Sequence, residues 1–160
     1  MPVGTFALNY FDSFVGSVDS ARTICALGFG AFLDYSFNPY LAVGVGPDAV
    51  LNVIPDVPHY DGGHMFNIAA RVRLSYPLTR RLRLHATITP GYGVIFKSLD
   101  TPRGFTVGGY AGSTLHLSRM HAVFLEVGYL AGFQRTAGDH PGERYSPSYL
   151  VTSCGWQLSI

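Results

Sequence analysis

Charge is what this 160-residue chain has least of. Only 13% of its residues are Asp, Glu, Lys or Arg, about half the share found in an average soluble domain. The net charge is +1, so no basic surface points to nucleic acid as a partner. The two cysteines, Cys25 and Cys154, are too few to predict a disulfide framework, and we interpret both as small apolar residues facing lipid at different depths.

The chain also lacks an unbroken run of about 18 apolar residues, so it predicts no transmembrane helix. The nearest candidate, "TICALGFGAFL", is short and interrupted by glycines. The opening "MPVGTFALNY" has no basic n-region and no separate apolar h-region, so for an exported protein we expect a mature domain with an added start Met. The length suits one domain, which we expect to span residues 1–160.

What the chain does have is an apolar residue at every second position along most of its length. From Phe66 to Tyr76 the even positions are apolar, whereas the odd positions include Arg71 and Arg73. Such strict alternation predicts a β-strand. The same pattern predicts eight strands, the first of them around residues 5–14. Most are longer than the about 5–6 residues of a globular strand, and long enough for the about 9–11 residues that cross a membrane.

The predicted connections alternate in length along the chain. The short ones are residues 38–39, 77–81 and 118–121, and the long ones are residues 11–21, 55–63, 98–104 and 135–147. Short turns at one rim and long loops at the other are typical of an outer-membrane barrel.

The two faces of the predicted strands differ sharply in composition. One face is almost wholly aliphatic and aromatic, whereas the other carries Gly, Ala, Ser, Thr and the charges, with a few aromatics. The apolar face is too continuous to be left in water, and the polar face is too small to cover a soluble barrel. We therefore predict an all-β, eight-stranded antiparallel up-and-down transmembrane β-barrel, with the apolar face in lipid. A soluble lipocalin-like ligand-binding barrel or sandwich is the alternative.

Outward aromatic residues fall in two groups near the ends of the predicted strands. We interpret them as lipid-interface girdles, although strand ends favour aromatic residues in any case. The group near the long loops is Phe66, Phe96, Phe105 and Phe133, and the group near the short turns is Tyr35, Phe37, Tyr76 and Trp156.

Charged and histidine side chains on the inner face predict a paired network inside the barrel. An isolated charge there would be very costly, whereas interleaved charges of opposite sign can pair. The predicted members are Asp34, Asp48, Arg71, Arg73, Arg83, His85, Lys97, His116 and Glu126. We interpret the network as a plug, because about eight strands leave space only for side chains or one small ligand. A selectivity ring or gate for a small solute is the alternative. Inward glycines either make room for bulky inward side chains or leave a cavity.

The last residues, "CGWQLSI", place Trp156, Leu158 and Ile160 alternately outward up to the end of the chain. With this ending the chain resembles the small bacterial outer-membrane β-barrel proteins, the OmpA/OmpX/OmpW-like group. Those proteins end in an aromatic residue that the barrel-assembly machinery reads, whereas this chain ends in Ile. The resemblance implies an integral outer-membrane location, with both termini in the periplasm and the long loops outside.

The resemblance also sets the expected function and partners. We expect a non-enzymatic barrel with a plugged or narrow lumen, which acts through its external loops or within an envelope complex. Its expected partners are outer-membrane lipid and lipopolysaccharide, the barrel-assembly machinery during biogenesis, and an envelope protein at the loops. The alternatives are a narrow channel for a small or apolar solute and a lipid-modifying enzyme.

Two motifs carry residue types that could do chemistry. "PHYDGGH" offers His59, Asp61 and His64, but without any metal-site spacing it predicts a polar loop. "HLS" with Glu126 is the set that a lipid A deacylase barrel would use for acyl transfer. That family's site lies at the outer leaflet, whereas His116 and Ser118 fall at the opposite rim. We therefore expect no catalytic residue, no metal and no cofactor.

Overall fold

A computed structural model describes residues 5–17, 23–55, 64–96, 101–135 and 144–160, with side chains for 27–51, 64–96, 101–135 and 146–160. Within these residues the chain forms nine strands. They are β1 (Thr5–Ser17), β2 (Thr23–Ser36), β3 (Leu41–Pro55), β4 (His64–Pro77), β5 (Leu82–Phe96), β6 (Arg103–His116), β7 (His121–Arg135), β8 (Arg144–Tyr145) and β9 (Ser148–Ser159). The described residues contain no helix long and apolar enough to cross a membrane.

The eight long strands close into a ring in which every pairing is antiparallel. Each of β1 to β6 pairs with the next strand, β7 pairs with β9, and β9 pairs with β1. The short β8 pairs with the end of β7, and the Gly132 N–H donates a 2.8 Å hydrogen bond to the Pro147 carbonyl just before β9. β8 and β9 are therefore one strand interrupted at Ser146 and Pro147. The predicted eight-stranded antiparallel up-and-down barrel is confirmed.

Several strands extend further than the alternation of side chains predicted. β1 continues to Ser17, where it still pairs with Tyr149 of β9, although residues 11–21 were expected to form a loop. Likewise β6 begins at Arg103, and β8 lies inside the expected loop of residues 135–147. The reason is that backbone pairing does not depend on side-chain polarity. The ladder therefore continues where the alternation has faded.

Solvent exposure alternates along the strands as the inside-out assignment requires. In β5, Ile88 is 58% exposed whereas its neighbour Thr87 is 2% exposed. In β7, Leu125 is 56% exposed and Glu126 is 5% exposed. Most large apolar side chains thus form the outer wall, and the buried polar and charged side chains lie inside the barrel. A continuous apolar wall of this kind requires lipid around it.

Candidate functional site

The polar side chains in the half of the barrel near the short turns are positioned by strand register. Asp34 of β2 is level with Gly44 of β3, which is level with Arg71 of β4. Neighbouring strands lie about 4.8 Å apart, so the outer two backbones are roughly 10 Å apart. A Cβ atom on Gly44 would collide with the Asp34 carboxylate. Gly44 therefore provides the space through which the carboxylate reaches towards Arg71.

The opposite side of the barrel repeats this arrangement. Glu126 of β7 is level with Gly112 of β6, which is level with His85 of β5. A Cβ atom on Gly112 would collide with the Glu126 side chain and with the Leu125 carbonyl. In both rows an acidic residue is separated from its partner by a strand that carries an inward glycine. These two glycines make room for side chains and do not leave a cavity.

The two rows meet at the Glu126 carboxylate. Arg71 and Arg73 each donate a hydrogen bond from Nη2 to the Oε1 atom, over 2.9 and 2.8 Å. The His85 Nε2 atom lies 2.8 Å from the same oxygen, and the Thr87 hydroxyl donates to it over 3.4 Å. Three nitrogen atoms therefore converge on one carboxylate oxygen deep in the lumen. We call Asp34, Arg71, Arg73, His85 and Glu126 the luminal charge cluster.

The cluster combines two carboxylates with two guanidinium groups. The Arg71 Nη1 atom lies 3.9 Å from Asp34 Oδ2. Aromatic rings also cover the guanidinium groups: Arg71 lies 5.0 Å from the centre of the Phe32 ring, and Arg73 lies 5.5 Å from that of Phe124. Charges of opposite sign and ring faces thus offset part of the cost of burying these groups.

An apolar layer fills the lumen on the long-loop side of the cluster. Tyr110 is partly buried and packs against this layer. The layer consists of Val50, Met65, Ile95, Leu130, Tyr149 and Val151. The sequence predicted a small and polar inner face, which is wrong for this half of the barrel. The reason is that each strand contributes only one or two of these side chains, so no single strand carries an apolar inner face.

Two small cavities lie beside the cluster in the lumen. One, of about 30 Å³, is lined by Arg71, Glu126 and Tyr110 on the long-loop side. The other, of about 20 Å³, is lined by Asp34 and Arg73 on the short-turn side. A water molecule needs roughly 10–15 Å³ of such space, and a drug-sized ligand needs a pocket of roughly 300 Å³ or more. These cavities can hold one or two waters each.

Three of the remaining predicted members of the charge network line the same cavities as the cluster. Asp48 lies on the long-loop side, and Arg83 and His116 lie on the short-turn side. Arg83 donates a 2.7 Å hydrogen bond to the Pro39 carbonyl at the short-turn rim and lines the same cavity as Asp34. Arg83 is the second residue of β5, so its side chain is close enough to the rim to reach the neighbouring turn. Asp48 accepts a 2.6 Å hydrogen bond from Asn67. His116 lies at the end of β6, and Lys97 falls outside the described residues.

The aromatic residues predicted for the membrane interfaces lie on the outer wall. Those near the long loops are exposed, and so are Phe37, Tyr76 and Trp156 near the short turns, whereas Tyr35 is partly exposed. Tyr35 packs edge-to-face on Phe37 at 5.0 Å, and Trp156 stacks on His121 at 5.1 Å.

The residues considered for catalysis and metal binding have other surroundings. The Ser118 hydroxyl accepts hydrogen bonds from the backbone N–H groups of Met120 and His121, and Glu126 belongs to the luminal charge cluster. The expected loop residues His59 and Asp61 fall outside the described residues. In the described part of the chain, no three His, Cys, Asp or Glu side chains are grouped to hold a metal ion.

A closed antiparallel barrel with an apolar outer wall and buried ion pairs in its lumen defines the class of protein. These are the fold and the surface of an integral bacterial outer-membrane β-barrel. The chain matches no family model and no curated protein sequence.

Several solved structures of other proteins are similar to this chain in fold. Neisserial surface protein A has a TM-score of 0.71 at 12% identity, with 97% of each chain covered. The outer membrane protein OprG from Pseudomonas aeruginosa has a TM-score of 0.71 at 10% identity, over 99% of this chain and 96% of that one. A de novo designed transmembrane β-barrel has a TM-score of 0.62 at 13% identity, over 100% of this chain and 98% of that one. The resemblance to small outer-membrane barrels is thereby confirmed at the level of the fold.

Proposed function

We propose that this chain is a non-enzymatic outer-membrane barrel with a closed lumen, which acts through the rim that carries its long loops. The observation that supports this best is that two layers of different chemistry fill the lumen, one in each half of the barrel. The luminal charge cluster blocks the half near the short turns, and the apolar layer around Met65 and Ile95 blocks the other half. A hydrated solute would have to break buried ion pairs and then cross an apolar constriction.

The distribution of charge along the sequence supports an external role for the long loops. More than half of the acidic residues belong to the segments that connect strands at the long-loop rim. These residues are Asp19, Asp56, Asp61, Asp100, Asp139 and Glu143. The same segments contain only two Lys or Arg residues, Arg22 and Lys97, so they are acidic on balance. Acidic loops suit a basic protein surface, or lipopolysaccharide through bridging divalent cations. We propose an envelope protein or lipopolysaccharide as the partner at this rim, and the barrel-assembly machinery as a partner during biogenesis.

The absence of a catalytic role is supported by what the candidate groups already do. The Ser118 hydroxyl stabilises a turn, and the Glu126 carboxylate is surrounded by Arg71, Arg73 and His85. A hydrolytic serine requires a histidine base and an oriented acid that are available to it. Mass spectra of lipid A from cells that express the protein are therefore expected to match those from cells without it.

Conductance tests the closed lumen. The protein reconstituted in a planar lipid bilayer is expected to give no sustained single-channel openings, whereas a porin inserted in the same way conducts. Circular dichroism of the same preparation verifies that the barrel is folded.

Reproducible openings of the wild-type protein would contradict the closed lumen. If their size also changed in Arg73→Gln, but not in the exposed-rim control Arg103→Gln, the narrow-channel alternative would replace it.

A further inference from the structure

The three short turns of the barrel share one construction. In each turn the side-chain oxygen of the second residue accepts hydrogen bonds from two backbone N–H groups, over 2.8 to 3.2 Å. The turns are residues 37–40, 78–81 and 117–120, and the accepting residues are Asn38, Thr79 and Ser118. The turns are therefore equivalent position by position. Side chains at the same turn position are expected to project from the rim in similar directions.

The first residue of each turn indicates how deep the short-turn rim lies in the membrane. Phe37, Leu78 and Leu117 occupy this position, and each is more than half exposed. An exposed apolar side chain directly below a polar turn is stable where the hydrocarbon ends and the lipid headgroups begin. The third and fourth turn positions then lie at the level of the headgroups.

Arginines occupy these two positions in neighbouring hairpins. Arg80 and Arg119 are both at the third position, and Arg81 is at the fourth. The two hairpins are joined by a 2.7 Å hydrogen bond from the His116 N–H to the Arg81 carbonyl. The arginines are thus held next to one another by the barrel itself.

These arginines line an open groove of about 650 Å³ between the two hairpins. Arg83, His116 and Ser118 contribute to it as well, and none of the described residues that line it is acidic. Leu117 also lines the groove, and Leu84 and Leu115 are 44% and 42% exposed on the outer wall of the same two hairpins. The groove is therefore lined mainly by cationic and polar side chains, and the hairpins that form it carry exposed apolar residues on their outer face.

We propose that this groove binds the headgroup of an anionic phospholipid. Guanidinium groups bind phosphate through paired hydrogen bonds, and the acyl chains of the same molecule can lie along Leu84 and Leu115. The apolar wall favours a lipid over a free phosphate, because only a lipid gains from both parts. The proposal rests on the membrane placement of the barrel and not on its closed lumen.

Lipid retention measured by native mass spectrometry tests the site. The full chain in mixed micelles with equal amounts of phosphatidylglycerol and phosphatidylcholine is expected to retain phosphatidylglycerol preferentially. A basic residue near a membrane surface contributes roughly five-fold to the affinity for anionic lipid. The double variant Arg80→Gln/Arg119→Gln is therefore expected to reduce the preference by roughly 25-fold. Both positions are exposed, so the fold is retained.

The matched control is Arg103→Gln/Arg135→Gln, which removes two exposed arginines that are level with each other at the long-loop rim. It is expected to keep the wild-type preference. An equal loss in both double variants would overturn the proposal, and so would a wild-type protein without preference. Displacement of the lipid by equimolar glycerol phosphate would also overturn it, because the acyl chains would then contribute nothing. Conductance of the same preparations tests the closed lumen independently of these results.

Discussion

Replacing Glu126 with glutamine is expected to destabilise the folded barrel by about 3–5 kcal/mol. The carboxylate is 5% exposed and its Oε1 atom holds both Arg71 and Arg73. A glutamine of the same size would leave two guanidinium groups facing the single carboxylate of Asp34. The cost arises because a buried charge without its partner cannot recover the water that it lost on folding. The measurement is the free energy of unfolding from urea titrations of the protein in lipid vesicles.

Two further variants separate loss of charge balance from loss of a hydrogen bond. Asp48→Asn also removes an inner carboxylate, but its hydrogen-bond partner is Asn67 and not an arginine. It is expected to cost about 1 kcal/mol. Glu126→Gln/Arg73→Gln restores the balance of one carboxylate and one guanidinium, so it is expected to be more stable than Glu126→Gln alone. If Glu126→Gln cost no more than Asp48→Asn, the cluster would not be what stabilises the lumen.

Placing an arginine in the middle of the outer wall is expected to be almost as damaging. Ile88→Arg should cost about 2–4 kcal/mol in lipid vesicles, because the charge would lie near the centre of the hydrocarbon. Ile88 is 58% exposed and lies halfway along β5. An exposed arginine in water would cost almost nothing, so the size of the effect reports on the surroundings of the wall.

The matched control for this variant is Leu117→Arg. Leu117 is also 58% exposed, but it lies in a turn at the rim, where a charge costs about 0–1 kcal/mol. Urea titrations of both variants in the same vesicles give the comparison. Equal stability of the two variants would mean that β5 does not cross a hydrocarbon layer.

The strands and their two faces could be predicted from the sequence because both depend on an alternation within each strand. The positions of Ile88 and Thr87 on opposite faces follow directly from period two. The partners inside the lumen could not be predicted in the same way, since they depend on register across two or more strands. Gly44 and Gly112 illustrate this, because their effect is on residues of the neighbouring strands.

Arg83 and the apolar layer are two further cases in which the partners of a side chain could not be predicted from one strand alone. Arg83 is on the inner face, as Arg73 is, but its depth lets it reach the turn carbonyl of Pro39. Ile95 and Leu130 both face the lumen, but they belong to β5 and β7, which do not pair with each other. Only closure of the barrel brings them into contact, and closure is a property of the whole sheet.

The measurement that tests the central claim most directly is magnetisation transfer from lipid acyl chains to isoleucine methyl groups. Ile88 and Ile95 lie on the same strand but on opposite faces, at 58% and 1% exposure. In isotope-labelled protein in lipid nanodiscs, the Ile88 methyl group is expected to receive magnetisation from the acyl chains, as is that of the outward Ile68. The Ile95 methyl group is expected to receive none. Transfer to Ile95 without transfer to Ile88 and Ile68 would reverse the two faces and contradict the account.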